Sequence, residues 1–151
     1  MRKTIKIICC LICMISIFLF SHDDGGRSSK KSDGVMIAVC SIFMSHDQCI
    51  EHKDKYVDPY VYYVRRLAHF SIYFVLGFLL LSTVCEYRSL DPKSILIAFL
   101  IAFLYACSDE FHQLFVLGRS ARVFDVLLDS FGAFCGIYSY RLFYKWRRKH
   151  E

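Results

Sequence analysis

The sequence predicts an all-α, polytopic membrane protein with four transmembrane helices and a short interfacial helix in the first external loop. Of its 151 residues, 56% are hydrophobic and 17% aromatic. The mean hydropathy of +0.37 is too high for an ordinary soluble domain. Four segments also have nearly the length of helix, ~20 residues, that a hydrocarbon core requires. We expect one membrane domain over residues 1–151.

The predicted spans cover residues 4–20, 67–84, 94–115 and 123–143. Pro59 and Pro92 lie outside these spans, at positions where a helix begins or ends. No proline interrupts a span, so each is expected to form a continuous helix.

The first span has two interpretations. Arg2, Lys3 and Lys6 precede the apolar stretch IICCLICMISIFLF, as in a secretory signal. The following FLFSHDD provides Phe and Ser where signal cleavage requires small residues. This favours an uncleaved anchor, with a removed signal as the alternative.

The loop after the first span divides into two parts. SHDDGGRSSKKSDG is rich in Gly, Ser and charge, which predicts a flexible segment. VMIAVCSIFM is apolar but too short to span, which favours an interfacial or re-entrant helix capped by Ser32 or Asp33. A plug packed against the bundle is the alternative. Cys40 and Cys49 share this loop and can pair if its surroundings are oxidising.

Basic residues predict that both termini are cytoplasmic in a multi-pass protein of the cell membrane. They cluster before the first span, in the 85–93 loop and after the last span, which four crossings place on one side. A net charge of +5 is also found in nucleic-acid-binding proteins, but here the basic residues sit at membrane ends with no base-stacking platform. We therefore exclude nucleic acid and expect the lipid bilayer as partner, with anionic lipids near the basic ends.

Each of the last three spans carries one polar face at helical spacing. The faces comprise Arg66, His69, Tyr73 and Gly77 in the second span, with Arg65 one turn before His69; Asp109, His112 and Gln113 in the third, with Glu110 at its flank; and Asp125, Asp129, Gly132 and Gly136 in the fourth. Chain alternation places all three faces on one side of the membrane. At a rise of ~1.5 Å per residue, Asp109 and Asp129 are expected at the same depth.

Charges at this depth must compensate one another, because one charged side chain near the bilayer centre costs about 2.5 to 3.5 kcal/mol or more. We expect the arginines to pair with the carboxylates, and Tyr73 to hydrogen-bond His69. The paired groups would be Arg65, Arg66 and Arg119 with Asp109, Glu110, Asp125 and Asp129. His69 and His112 can change charge near neutral pH, and the G-x-x-x-G of Gly132 and Gly136 predicts close helix contact.

No cysteine or histidine set in the sequence has the spacing of a zinc site. Asp109, Glu110 and His112 have side chains that can bind a metal ion, but they lie within four positions of one helix, so they do not all face one point. We therefore expect neither a metal nor another cofactor.

The stretches FLFSHDDGGRSSKKS, RRLAHFSIYFVLGFLL and SDEFHQLFVLGRSARVFDVLLDSFGAFCG resemble the VanZ-like family of small integral membrane proteins over essentially the whole chain. The resemblance implies a four-helix membrane bundle. The founding member is associated with low-level resistance to the glycopeptide teicoplanin. The resemblance names a fold better than a reaction.

The resemblance also implies which positions belong to the family's motifs: Arg65, His69 and Phe70; Asp109, Glu110, His112 and Gln113; Gly118 and Arg119; and Asp125, Asp129 and Gly132. Arg66 stands where a lysine is expected, which keeps the charge but not its shape. Leu117 stands where a proline often precedes the glycine-arginine pair, which leaves that turn less constrained.

Three classes of function fit these residues, and binding of an envelope or lipid-linked ligand, linked to antibiotic tolerance, is favoured. The candidate ligand-binding residues are Arg65, Arg66, His69, Tyr73, Asp109, Glu110, His112, Gln113, Arg119, Asp125 and Asp129. An enzyme acting on a lipid-linked or cell-wall substrate is the first alternative, with Asp109, Glu110 and His112 as catalytic candidates. A structural or proton-relay bundle is the second.

Overall fold

The computed structural model describes residues 2–22, 25–43, 45–119 and 121–150. Within these ranges the chain forms seven α-helices and no strand, which confirms the all-α class. The helices are α1 (Arg2–His22), α2 (Gly25–Cys40), α3 (His46–Glu51), α4 (Lys53–Tyr56), α5 (Asp58–Val84), α6 (Pro92–Gln113) and α7 (Val123–His150).

Three described helices are long and apolar enough to cross a membrane, over Lys3–His22, Tyr60–Val84 and Pro92–Gln113. They correspond to the first three predicted spans. The fourth predicted span forms α7, which has the length at 28 residues but a more polar composition. Asp125 and Asp129 lie in its first turns and a basic cluster ends it. Its crossing of the membrane therefore stays a prediction.

Helix α5 lies at the centre of the packing. Helix α7 packs most extensively against it, α6 packs against both, and α1 packs against α5 and α6. Their shared core includes Ile17 of α1, Tyr73, Leu76 and Leu81 of α5, Ala98, Ala102 and Ala106 of α6, and Ala133 and Ile137 of α7. The alanines of α6 recur every fourth residue and so give it a smooth face for its neighbours. Large apolar residues such as Leu104 and Phe131 remain exposed, as expected for surfaces that face lipid.

Three glycines bring α5 and α7 into backbone contact, and we call Gly77, Gly132 and Gly136 the glycine seam. A Cβ atom on Gly132 would lie 2.5 Å from the carbonyl oxygen of Phe70. A Cβ atom on Gly136 would overlap the carbonyl oxygen of Phe74, and one on Gly77 would overlap that of Ala133. The close helix contact predicted from G-x-x-x-G is therefore confirmed.

The helix ends follow the expected turn chemistry. Pro59 and Pro92 occupy the first turns of α5 and α6, where a missing backbone N–H costs nothing. Asp91 caps α6, accepting a hydrogen bond of 2.7 Å from the Ser94 amide, and this bond lowers the pKa of the Asp91 carboxyl. Between α6 and α7, Gly118 has a φ of 73°, which a residue with a Cβ rarely adopts.

The loop after α1 differs most from expectation. The predicted flexible stretch is helical from Gly25 onward, while its residues Asp23 and Asp24 lie outside the described ranges. Ser32 and Asp33 were predicted as caps but lie inside α2, where Asp33 pairs with Lys53 of α4 at 2.6 Å. The helix thus gains a tertiary contact that its Gly- and Ser-rich composition does not reveal.

Two further features organise this region. Cys40 and Cys49 form a disulfide between α2 and α3, so the pairing that an oxidising environment would allow is present. Helix α5 begins at Asp58, before the predicted span at Leu67, because the helix continues past the apolar segment into tyrosines and arginines.

Candidate functional site

The polar residues meet at one end of the bundle, where α1 and α6 end and α5 and α7 begin. His69 of α5, Asp109 of α6 and Asp129 of α7 bring their nitrogen and oxygen atoms within 4.8 Å of one another. Asp109 is 4% exposed and Asp129 is 3% exposed. The prediction that the two carboxylates lie at the same depth is therefore confirmed.

Asp109 takes its hydrogen bonds from α1 and from its own helix, not from the arginines expected as partners. Its Oδ2 accepts a bond of 2.8 Å from the Ser21 hydroxyl and one of 3.3 Å from the Gln113 amide. Gln113 also donates to the Ser21 hydroxyl at 3.2 Å. The buried Oδ1 has no hydrogen-bond partner in the described chain.

Asp129 faces His69, whose Nδ1 lies 3.6 Å from the Asp129 Oδ2. The predicted bond between His69 and Tyr73 is wrong, because the imidazole Nδ1 is directed to α7. The Tyr73 hydroxyl is buried and has no hydrogen-bond partner among the described residues.

Arg66 and Asp125 form the expected arginine–carboxylate pair, with 2.7 Å between Nη2 and Oδ1. The guanidinium carbon also lies 4.1 Å from the Tyr62 ring centre and 4.7 Å from that of Phe124. Cation–π contacts of this kind hold a guanidinium in one orientation. Arg66 therefore joins the start of α5 to the start of α7.

Glu110 and Arg119 bind main-chain groups, which the sequence could not indicate. Glu110 accepts a hydrogen bond of 2.5 Å from the backbone amide of Arg122, just before α7. Arg119 donates to the carbonyl of Phe20 at 2.8 Å and to the Gln113 side chain at 3.4 Å. Both contacts fix the connection between α6 and α7 against the bundle.

The His112 side chain points away from the carboxylates of the cluster and toward α1. Its Nε2 lies 3.3 Å from Nδ1 of His22, and its ring lies 4.7 Å from that of Phe18. Asp109, Glu110 and His112 thus contact three different neighbourhoods, as expected for residues that do not face one point. Ser108, beside Asp109, is exposed and donates to the Tyr105 carbonyl of its own helix.

Two adjoining cavities open beside this cluster. The inner cavity has a volume of about 40 Å³ and is lined by Arg65, Arg66, His69, Glu110, Gln113, Arg119, Asp125, Leu128 and Asp129. The outer cavity, of about 220 Å³, is lined by Phe20, Lys31, Ser32, Val35, Val64, Arg65, Ala68, His69 and Arg119. Arg65, His69 and Arg119 belong to both. The inner cavity mixes both signs of charge, whereas the described lining of the outer cavity is apolar and basic.

The sequence did not identify the contributions of α1 and α2. Ser21, the Phe20 carbonyl and Lys31 all reach the site from regions predicted as an anchor and a flexible loop. The one sequence feature that could have indicated this contribution is Ser21, because a polar side chain directly after the apolar run can still reach the interior of the bundle.

No curated protein and no solved structure matches this chain significantly. The model of the VanZ/LLP1 family matches residues 6–144. The matched region includes every residue of the cluster and of both cavities, from Phe20 to Asp129. Since the match extends over most of the sequence, the chain belongs to the VanZ/LLP1 family.

Proposed function

We propose that this membrane protein binds the anionic group of an envelope lipid or lipid-linked cell-wall precursor and so contributes to tolerance of glycopeptides such as teicoplanin. The outer cavity carries this proposal. Its described wall combines Lys31, Arg65 and Arg119 with apolar side chains and contains no acidic residue. An anionic headgroup with an attached hydrocarbon chain is complementary to this wall, because its charge is opposite and its chain is apolar.

The two cavities limit what can enter. The outer cavity, about 220 Å³, is below the ~300 Å³ of typical small-molecule sites, so it fits a headgroup rather than a whole lipid. The inner cavity, about 40 Å³, has room for roughly three waters. A phosphate or carboxylate fits at their boundary, where Arg65 and Arg119 present guanidinium groups suited to these anions.

We propose that α7 is the fourth span, that both termini are cytoplasmic, and that the site opens on the extracytoplasmic side. The Cys40–Cys49 disulfide supports this orientation, because disulfides persist in oxidising compartments. The clustered basic residues at the end of α7 support it independently, since such clusters favour the cytoplasmic side.

A catalytic role receives less support from the geometry. Asp109, Glu110 and His112 do not converge, and the Ser108 hydroxyl is bonded within α6. A purely structural bundle is the stronger competitor, because many of the polar contacts link helices. The proposed test therefore separates loss of function from loss of the protein.

The test measures teicoplanin susceptibility in a host that expresses the wild type, Lys31→Gln, Arg119→Gln or the control Arg88→Gln. Arg88 is basic and exposed but lies in the loop between α5 and α6, at the other end of the bundle. We expect tolerance to rise several-fold with the wild type and with Arg88→Gln, and to be lost with the other two.

Immunoblots of the membranes establish whether each variant is present at the wild-type level. Vesicles with and without anionic lipid then test headgroup binding by the purified proteins. No effect of the wild type would overturn the proposed role in tolerance. Equal tolerance in all variants would overturn the basic cavity as the binding site, and disappearance of Lys31→Gln and Arg119→Gln from membranes would assign these residues to the scaffold.

A further inference from the structure

We propose that His69, Asp109 and Asp129 bind one divalent transition-metal ion, of the zinc or manganese type. Each residue comes from a different helix and offers one ligand atom, and these atoms lie within 4.8 Å of one another. An imidazole with two carboxylates is a ligand set that both metals accept. This proposal is independent of the anionic ligand proposed above.

The spacing is close to that of a bound site. Nitrogen and oxygen ligands lie ~2.0–2.2 Å from zinc, so two of them in a tetrahedral site are ~3.3–3.6 Å apart. His69 Nδ1 and Asp129 Oδ2, at 3.6 Å, already have this spacing. The Asp109 carboxylate, within 4.8 Å of the other two ligand atoms, would have to approach by up to about 1 Å, which requires a rotation of its side chain.

Two buried polar atoms at the cluster provide a second observation. The Asp109 Oδ1 and the Tyr73 hydroxyl are both buried, and neither has a hydrogen-bond partner in the described chain. Tyr73 lies one helical turn after His69 on α5 and so belongs to the same polar face. Buried polar groups are normally satisfied. A metal bound by Asp109, carrying a water near Tyr73, would satisfy both atoms.

The local charges are consistent with a dication. Asp125 is neutralised by Arg66, and Glu110 accepts the backbone amide of Arg122. Asp109 and Asp129 remain as two neighbouring carboxylates that repel one another in a region shielded from water. Arg65 and Arg119 line the adjoining inner cavity and oppose a cation there, so the ion belongs between the two carboxylates rather than in the cavity.

The three protein ligands leave at least one coordination position open. His69 and Asp129 both line the inner cavity, whose volume of about 40 Å³ accommodates water ligands. Sequence spacing could not indicate this site, because zinc patterns are recognised as pairs within a segment, whereas here each helix supplies a single ligand.

The test uses full-length, untagged protein purified in detergent, stripped with chelator and dialysed against Zn²⁺ or Mn²⁺. Metal content per protein is measured by mass spectrometry, and affinity by titration. We expect one equivalent in the wild type and binding more than about tenfold weaker in Asp129→Asn and Asp109→Asn. His112→Gln is the matched control, because His22 and His112 form a separate pair at the surface.

Circular dichroism establishes whether each variant keeps its helices. If the aspartate variants unfold, the visible absorption spectrum of Co²⁺ bound to the wild type tests the site instead. This spectrum distinguishes a Co²⁺ ion with imidazole and carboxylate ligands from one with water ligands alone. Absence of stoichiometric metal in the wild type overturns the site. Unchanged binding in folded Asp109→Asn and Asp129→Asn, or loss confined to His112→Gln, overturns it equally.

Discussion

Ser21 supplies the shortest hydrogen bond to one of the most buried charges in the described structure. Its hydroxyl is 2.8 Å from the Asp109 carboxylate, and Ser21 itself is fully buried. Hydrogen bonds to charged groups contribute about 1.5–3 kcal/mol, which is more than neutral ones contribute. A single side chain at the end of α1 therefore compensates much of the cost of burying Asp109.

We expect Ser21→Ala to lower the free energy of unfolding by about 1.5–3 kcal/mol, because Asp109 loses a donor that water cannot replace. Unfolding of the purified protein in mixed micelles with increasing SDS measures this change. Ser16→Ala is the control, since the Ser16 hydroxyl bonds back to the Ile12 carbonyl within α1. Equal effects of the two substitutions would show that the bond to Asp109 contributes nothing beyond a local one.

Helical periodicity predicted which residues share a face, but not which neighbour each one meets. It placed Arg66 and Asp125 correctly as partners. It failed for Tyr73, and for Asp109 it suggested arginines where Ser21 and Gln113 are found. The rotation of each helix about its axis is set by packing of the whole bundle, and backbone acceptors such as the Phe20 carbonyl leave no trace in side-chain patterns.

Helices α1, α5 and α6 could be predicted because each has a long apolar run that ends near proline or charge. The first part of α2, residues 25–34, could not be predicted, because it is rich in Gly, which has low helix propensity, and in Ser, which favours caps and turns. Residues 35–40 belong to the stretch predicted as an interfacial or re-entrant helix. The contacts of α2 with α5 and the Asp33–Lys53 pair are long-range in sequence. Local composition therefore predicted a loop where tertiary packing forms a helix.

We expect Gly136→Ala to destabilise the protein by about 1–3 kcal/mol, because the new methyl group would overlap the Phe74 carbonyl across the glycine seam. Gly34→Ala is the matched control in α2, since a Cβ there meets no atom within 4 Å. The control should be neutral or more stable by up to about 1 kcal/mol, as helical Gly→Ala changes are.

SDS unfolding midpoints of the two alanine variants check this prediction. Wild-type stability in Gly136→Ala would contradict backbone contact between α5 and α7. A comparable loss in Gly34→Ala would show instead that any glycine replacement is harmful in this protein.

The proposed orientation of the whole molecule depends on the loop that contains Cys40 and Cys49. We expect these two cysteines to be disulfide-linked in growing cells, because the loop would then face an oxidising compartment. Thiols are alkylated in intact cells, and the digested protein is analysed by mass spectrometry without reduction. A linked peptide containing both residues is the expected product.

The free cysteines Cys85 and Cys107 are the internal control and should appear alkylated once the protein is denatured. Alkylated Cys40 in cells would place the loop in a reducing compartment and reverse the proposed orientation. If the two cysteines are linked but the wild type does not raise teicoplanin tolerance, the proposed orientation stands and only the proposed function is rejected.

The glycine seam also determines where the molecule is stiff. Helices α5 and α7 touch through their backbones at the glycine seam, so neither can shift there without breaking these main-chain contacts. Helix α2 has no such contact among the described residues and covers the outer cavity with the side chains of Lys31, Ser32 and Val35. We therefore expect any change in the size of the outer cavity to come from movement of α2, because the seam holds the wall formed by α5 in place.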